Sequence, residues 1–522
     1  MNRVTFCRVR ITTPDTPFGP SQTFEWTPDN HGALDGLMGV SVQQGVDALR
    51  NSFVLRFAPV VQGGLTWAER IPRFSLVQIE MGSSEHPGDD PLVMIGLTKM
   101  GAHQAAFAER IQRQVVVQGE GIEAVLWDAN IWFAPYLDID TAARSEALRR
   151  AVDAPTRNAI GGNAQLQWVQ EILGAGTGQA AVYDPREMLA GVLRYFIGNG
   201  ATSVFSLAVP GQPLHQLLVP GEFNAWFERE TGRGARVLVP PSWSVIDDRI
   251  RMAFAQYRPE PGPIGAHCEK LVDRMFHDFF VRYEDGRARL AHRVKPFKAT
   301  TPRSRVIDGL AGGPSLFDLE AVRTVEVTGD DVRQAGLQQS MPIANFFWVL
   351  PGFHSATGQQ HFKAAFAPSF STSEDFSNVG RFGLRAVEHV SPYMILDRQT
   401  EGDATTPEES KRIGTAIALA MKLSETLKVW MDPHPEMWAG TLVIRGRAGV
   451  RPGDRVVWTG PDAGPYPLEF HVKAVSHSYS FEDGAFVTQL QVERGWRVKD
   501  AVVDSGQGPS QRQAPAARDV PA

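Results

Sequence analysis

Apolar residues recur at every second position through much of the first 135 residues. Val4 to Thr12 alternates weakly, and Ser52 to Phe57 (SFVLRF) is denser. From Phe74 to Glu80 the chain sets Phe74, Leu76 and Gln78 on one face and Val77 and Ile79 on the other. A polar loop, Gly82 to Asp90, separates this from Leu92 to Met100, and Gln114 to Val117 closes the series at Gly119-Glu-Gly121. A period of two, punctuated by Gly and Asp, predicts an antiparallel meander.

The period changes between Asp138 and Tyr257. Thr141 to Val152 and Leu166 to Leu173 have helical spacing, and a further helix is predicted from Pro185, with Asp184 as N-cap and Gly198-Asn-Gly200 as its stop. Pro210 to Pro241 is irregular, and Ser244 to Tyr257 has helical character. Near Met275 the strand pattern returns. Phe276 to Tyr283 and Arg287 to Val294 flank Glu284-Asp285-Gly286, a hairpin signature. Val322 to Val327 reads as a strand, Asp330 onward as a short helix, and residues 352 to 380 as a long loop. Thr406-Pro-Glu-Glu caps another helix. Thr441 to Arg445, Arg455 to Trp458, Leu468 to Tyr479 and Ala485 to Glu493 are predicted strands, the last two joined at Glu482-Asp-Gly484. Residues 501–522 lack apolar bulk and are expected to be a disordered tail.

The two strand-rich regions resemble each other. Ile71-Pro-Arg-Phe-Ser-Leu-Val-Gln-Ile, a loop, Pro91-Leu-Val-Met-Ile and Val115-Val-Val-Gln-Gly119 form one series. Val450-Arg-Pro-Gly-Asp-Arg-Val-Val-Trp, a loop, Pro467-Leu-Glu-Phe-His and Leu490 to Gly495 form another. Pro91 and Pro467 stand 376 residues apart, as do Gly119 and Gly495. The pattern reads as two copies of one barrel-like unit, although two unrelated meanders would share some of it.

Composition narrows the class. The 522 residues suffice for three or four domains, and a net charge of −6 argues against a general nucleic-acid coat. The 49 Gly, 36 Pro and 12 Trp favour a turn-rich β protein over a helical bundle. Two cysteines, Cys7 and Cys268, exclude a disulfide framework and a four-Cys zinc site. The start of the chain has no apolar signal region, and Ile413 to Leu423 is too short to span a bilayer, so no membrane insertion is expected.

The search for chemistry leaves no catalytic, cofactor or metal residue to name. Gly174-Ala-Gly-Thr-Gly178 misses the dinucleotide fingerprint, and no phosphate-binding loop, nucleophile elbow or HExxH motif occurs. His267-Cys-Glu269 starts like a deaminase motif but no PCxxC follows. His267, His277 and Asp278 lack a partner at metal-ligand spacing and are read as structural. Cys268 reads as a small buried apolar residue. His471 and His477, six apart on one strand, are expected to share a barrel-wall face. The pairs Asp138/Asp140, Asp247/Asp248 and Asp330/Asp331 read as solvated turn carboxylates. Phe346, Phe347, Trp348, Trp430 and Trp438 are either core or a candidate subunit interface.

Four stretches resemble the baseplate hub (tail hub, or late control) proteins of contractile-tailed bacteriophages and related contractile injection systems. They are Phe279 to Phe297, with its Asp-Gly hairpin; Val325 to Val332 with Ala344 to Val349; Gly380 to Arg385 before Tyr393; and, most specifically, Gly440 to Gly495. The likeness is clear over 275–500, plausible over 50–135, and does not cover 136–265.

The resemblance implies a mixed, β-rich fold with two tail-tube-like β-barrel domains joined by α/β connecting segments. The first barrel would occupy 1–135, the connecting region 136–265, and the second barrel 266–345 plus 440–500. An insertion with a loop and a helix would fill 346–439. It further implies a homotrimer that adapts the hexameric tail tube to the trimeric central spike protein and contacts other baseplate (wedge) proteins. Phage DNA would pass through the channel without specific binding. The chain would reside in the virion tail baseplate after assembly in the host cytoplasm, would hold no cofactor and would not be an enzyme. No β-helical needle or lysozyme domain is expected on the chain. The rival expectation is a tail-associated peptidoglycan-degrading enzyme whose site lies in 136–265, where Glu171, Glu187, Glu222 and Glu228 offer carboxylates.

Overall fold

The structure, a computed structural model, describes residues 4–131, 208–220, 262–296, 322–352, 370–395 and 420–497, short breaks apart. The helices predicted between 141 and 200 and from Thr406, the acidic pairs Asp138/Asp140 and Asp247/Asp248, the four glutamates of 136–265 and the 501–522 tail lie outside the described residues.

The first meander forms seven strands: β1 (Thr5–Thr12), β2 (Thr23–Trp26), β3 (Leu37–Gly45), β4 (Ser52–Phe57), β5 (Leu76–Ser83), β6 (Leu92–Phe107) and β7 (Ile111–Gly121). Next come β8 (Leu218–Pro220) and the hairpin β9 (His277–Glu284) and β10 (Arg287–Val294). The hairpin turns on Asp285 and Gly286, both at positive φ, as a two-residue primed turn requires. The second set is β11 (Thr324–Thr328), β12 (Val332–Gln338), β16 (Trp438–Arg445), β17 (Arg455–Thr459), β18 (Leu468–Ser480) and β19 (Phe486–Arg497). Between its members lies a three-stranded sheet of β13 (Phe346–Gly352), β14 (Phe370–Thr372) and β15 (Ala386–Ile395).

The fold is β-rich, and its two strand sets share one plan. The first runs β3-β4-β7-β6-β5-β1, with β2 outside β1, and the second runs β12-β16-β19-β18-β17-β11. In chain order each unit therefore places its second strand beside its third, then its sixth, fifth, fourth and first. One pairing differs in sense: β1 meets β5 antiparallel, whereas β11 meets β17 in parallel.

Details repeat as well. Phe74 donates its N–H to Thr98, and Gly453 donates to Val472; both lie at positive φ, 64° and 83°. The following residues, Ser75 and Asp454, are buried and close the same tight turn on Pro72 and Arg451. Each fifth strand carries a bulge at a lysine, Lys99 in β6 and Lys473 in β18. Each sixth strand carries a glycine opposite an aromatic residue of the third strand, Gly119 facing Phe53 and Gly495 facing Trp438.

Each unit encloses its own core, and the ends of each sheet share it. Cys7, Val9 and Ile11 of β1 join Leu37, Val40 and Val42 of β3 in one cluster. Val325 and Val327 of β11 join Leu442 and Ile444 of β16 in another. A sheet whose opposite ends meet in one core must curve strongly, which is the barrel-like geometry the sequence implied. Among the described residues no hydrogen-bonded strand pair closes either curve.

Three local expectations change. Residues from Val332 are a strand, not a helix: a bulge at Arg333 sets the segment in register with β16. The expected loop 352–380 contains β14 and a helix at Phe376–Phe382. The hairpin β9–β10, expected with the second barrel, buries Phe279, Val281, Tyr283 and Leu290 in the first cluster and reaches the second unit through its charged residues.

Candidate functional site

The geometry that distinguishes this chain is the joint between its two units. Strand β3 pairs with β4 on one side and antiparallel with the C-terminal half of β18 on the other, Gly39 to Gly45 opposite Ser480 to Ala474. The two curved sheets thus become one 13-stranded sheet. The N-terminal half of β18 pairs instead with β17, so this one strand serves both units. Tyr479 and Phe486 of the second unit sit in the first unit's core.

A charged clasp secures the joint. The loop after β5 presents Glu85, Asp89 and Asp90 to the arginines around β16. Glu85 lies 3.7 Å from Arg445 and Asp89 lies 3.5 Å from Arg447, while an oxygen of Asp89 accepts the Gly449 N–H at 3.2 Å. Arg451, largely buried, bridges Asp90 at 3.1 Å and Glu284 of the hairpin at 3.2 Å. Asp90 also accepts the Asp285 N–H at 2.7 Å, so one carboxylate ties three segments together. Beneath the clasp, Arg293 donates to the Gly453 carbonyl at 3.0 Å and faces Asp278 at 3.4 Å. Both Arg282 and Arg293 lie over the Phe280 ring. Burial pushes the Asp454 carboxyl up against the opposing pull of Arg282, Arg323 and Arg451.

A second buried group anchors the hairpin. The Tyr283 hydroxyl donates to Glu123 at 2.8 Å, and Glu123 accepts the Asn51 N–H at 2.9 Å. Burial raises the Glu123 carboxyl from 4.5 to about 7 despite these bonds.

The residues singled out from sequence fall as follows. His267 and Cys268 are buried on the helix Ile264–Lys270, and burial lifts the Cys268 thiol to about 12. His277 stacks on His292, while Asp278 turns to Arg293, so the three do not converge. Asp331 caps its own turn, accepting from the Thr328 N–H and hydroxyl at 3.0 and 2.7 Å. His471 and His477 are both buried, but the bulge at Lys473 between them shifts the pleat by one residue and sets them on opposite faces. His471 approaches Glu493 at 3.4 Å. His477 pairs with the Thr488 hydroxyl, and burial depresses its imidazole to about 3.

Of the five aromatics, Phe347 and Trp430 are buried in one cluster with Leu423 and Leu427, Trp348 packs against that cluster, and Phe346 is half-buried. Trp438 is the exposed member, at 39%. Arg494, fully buried at positive φ, lies over the Trp430 ring at 3.5 Å and donates to the Trp430 carbonyl and to His434 Nε2 at 2.6 Å. His434 is therefore held neutral, depressed to about 3 by burial and by that guanidinium. Among the described residues the one grouping with metal-ligand proximity is Glu85, His86 and Asp331, which belongs to the charged clasp.

Sequence reading missed β3, whose Gly39, Gly45 and adjacent glutamines blur the alternation, and it missed the clasp. The signal for the clasp was present as charge complementarity between the acidic loop 85–90 and the arginine-rich 445–455 segment.

No protein-family model and no curated protein matches the chain. Solved structures do. A tail protein from Neisseria meningitidis is 11% identical, with a TM-score of 0.40 over 94% of this chain and 96% of its own. The 43 kDa tail protein of prophage MuSo2 from Shewanella oneidensis is 10% identical, with a TM-score of 0.39 over 93% and 97%. A component of the E. coli type VI secretion system is 7% identical, with a TM-score of 0.31 over 90% and 75%. The chain is thus similar to bacteriophage tail and type VI secretion proteins.

Proposed function

We infer that this chain is the structural hub of a contractile tail or phage-derived injection particle. Three copies, each contributing two barrel-like units, form a ring of six units. One side of the ring docks the hexameric tail tube, the other carries the trimeric spike, and wedge proteins of the baseplate surround it. The ring continues the central channel, through which phage DNA passes without sequence recognition, and the assembled protein resides in the virion tail. The observation that carries this reading is the repeated unit. Two copies with one strand order, joined head to tail through β3 and β18, make each chain two successive units of a ring, and a three-copy ring of such chains presents near-six-fold symmetry to a hexamer. The sequence likeness over 275–500 supports the same assignment.

The proposal includes that the chain acts without catalysis. Light scattering of the chain mixed with its spike partner should find three chains of 57.4 kDa each. A monomer under those conditions would sink the hub reading. Hydrolysis of purified cell wall, lost on a single Glu→Gln change within 136–265, would establish the enzyme reading in its place.

A further inference from the structure

The joint inside the chain uses the second strand of one unit to cover the fifth strand of the other, and among the described residues the same two surfaces recur without that strand partner. In the first unit, β6 is the counterpart of β18. Its residues up to Leu97 pair with β5, and Thr98 is bonded to Phe74 and Ser75, just as Val472 is bonded to Gly453 and Asp454. Beyond the lysine bulge, β18 is flanked by both β19 and β3. Beyond its own lysine bulge, β6 from Met100 to Phe107 is paired on one side only, with β7, among the described residues.

In the second unit, β12 is the counterpart of β3. Leu37 pairs with Phe57, the register slips at Met38, and Gly39 to Gln43 continue along β4. Val332 pairs with Ile444, the register slips at Arg333, and Gln334 to Gln338 continue along β16. The match extends to the last residue, Gln43 corresponding to Gln338. Yet β3 is largely buried, whereas Arg333, Gln334, Ala335, Gly336 and Gln338 of β12 are exposed, and β12 pairs with β16 alone among the described residues.

Each open edge has its bulge and basic residue, Arg333 or Lys99, only at its start, as the paired β18 does at Lys473; past the bulge the protection ends. Gln334-Ala-Gly-Leu-Gln338 and Met100-Gly-Ala-His-Gln-Ala-Ala-Phe107 contain no Lys, Arg, Asp, Glu or Pro, so nothing on them opposes the addition of a strand.

We propose that β12 of one copy pairs antiparallel with Met100–Ala106 of β6 in a second copy, repeating between chains the β3–β18 pairing within each chain. Transferring the observed register places Ala335 opposite Ala105, Leu337 opposite His103 and Gln338 opposite Ala102. The contact is heterologous: the edge offered differs from the edge accepted, so repetition runs head to tail and gives a ring when the rotation between copies closes. Closure at three copies rests on the hub reading above; the pairing itself does not.

The test is cysteine cross-linking in the full-length chain. Residues directly opposite in an antiparallel pair bring their Cβ atoms within disulfide range, about 4.5–5.5 Å before adjustment. The native Cys7 and Cys268 are buried and will not compete. The double variant Ala335→Cys with Ala105→Cys, oxidised with copper phenanthroline in the presence of the spike partner, should shift from the monomer band to a closed covalent trimer on a non-reducing gel. Gln338→Cys with Ala102→Cys should do the same. Each single variant, and the mismatched pair Ala335→Cys with Gln104→Cys, should stay predominantly monomeric. A chain that sizes as a trimer but forms no covalent species with either matched pair would overturn the strand pairing and leave the hub reading standing. Cross-linking of the mismatched pair in preference to the matched ones would overturn the register. A matched pair that closes as dimers or tetramers would support the pairing and refute the three-copy hub.

Discussion

Gly453 and Phe74 hold the same backbone conformation at the same turn of the two units, and only one of them is suited to it. The left-handed region costs a non-glycine residue roughly 1–2 kcal/mol, so Phe74 spends stability that Gly453 does not. A Cβ on Gly453 would also come within 2.5 Å of the Arg293 guanidinium and 3.0 Å of the Phe280 ring. Gly453→Ala should therefore lower stability by about 1–3 kcal/mol, whereas Phe74→Gly should be neutral or stabilising. Urea unfolding midpoints of the two variants check this, and the reverse order would mean that the turns are not equivalent. Glu123 is a second residue with a measurable signature. Its folded-state value, about 7, lies above its unfolded value of 4.5, so the folded protein binds the extra proton. The stability it contributes is fully present below pH 4.5 and is lost as pH rises through 7. Relative to Glu123→Gln, the native protein should lose roughly 2–4 kcal/mol between pH 4.5 and 7.5, read as the difference in unfolding midpoints. The depressed His434 and His477 act in the opposite sense, since both must be neutral when folded and lose stability as pH falls below 6.5. The comparison with the Gln variant isolates Glu123 from them.

At the scale of the element, β18 is the strand on which the architecture turns. The alternation of Leu468 to Tyr479 was legible in the sequence, as were β1, β4 to β7, the β9–β10 hairpin and β16 to β19. All but β16 pair with a chain neighbour, and each carries its own apolar face. The 376-residue spacing was legible for a related reason: the Pro-Leu entry to β6 and β18 and the glycine set against an aromatic in β7 and β19 both leave marks in the residues themselves. What could not be read was fixed by partners far away in the chain. β3 is held by β18 rather than by its own pattern, and β12, with a composition suited to a helix, is recruited by β16. The bulge at Lys473 reverses the faces of His471 and His477 and follows from pairing register alone. Two tests belong here. A residue inserted between His477 and Ser478 should flip Ser478 to Ser480, the end of the segment that meets β3, and lower the urea unfolding midpoint. Arg451→Ala should take from Asp90 and Glu284 their shared cation, leaving them the Asp285 N–H and Arg289, and cost roughly 1–3 kcal/mol, below a fully buried pair because both carboxylates are about a quarter exposed and keep those partners.

The whole molecule is a repeat whose corresponding positions Pro91 and Pro467 stand 376 residues apart, and the joint makes the two copies interdependent. Thr5, at the start of β1, donates its hydroxyl to the carbonyl of Gly484, 479 residues away. During synthesis, the outer edge of β3 is complete long before the ribosome reaches Ala474. At typical elongation rates of roughly 5–20 residues per second, that edge waits on the order of 20–90 s for its partner. Leu37 to Gly45 contains no charge and no proline to discourage other strands from taking the place. The nascent first unit is therefore a stretch of open sheet whose rightful neighbour is translated nearly last. A chain truncated before Leu468 should aggregate even though it keeps all of the first core except Tyr479 and Phe486. Supplying 468–497 as a separate peptide should restore solubility, as measured by sedimentation.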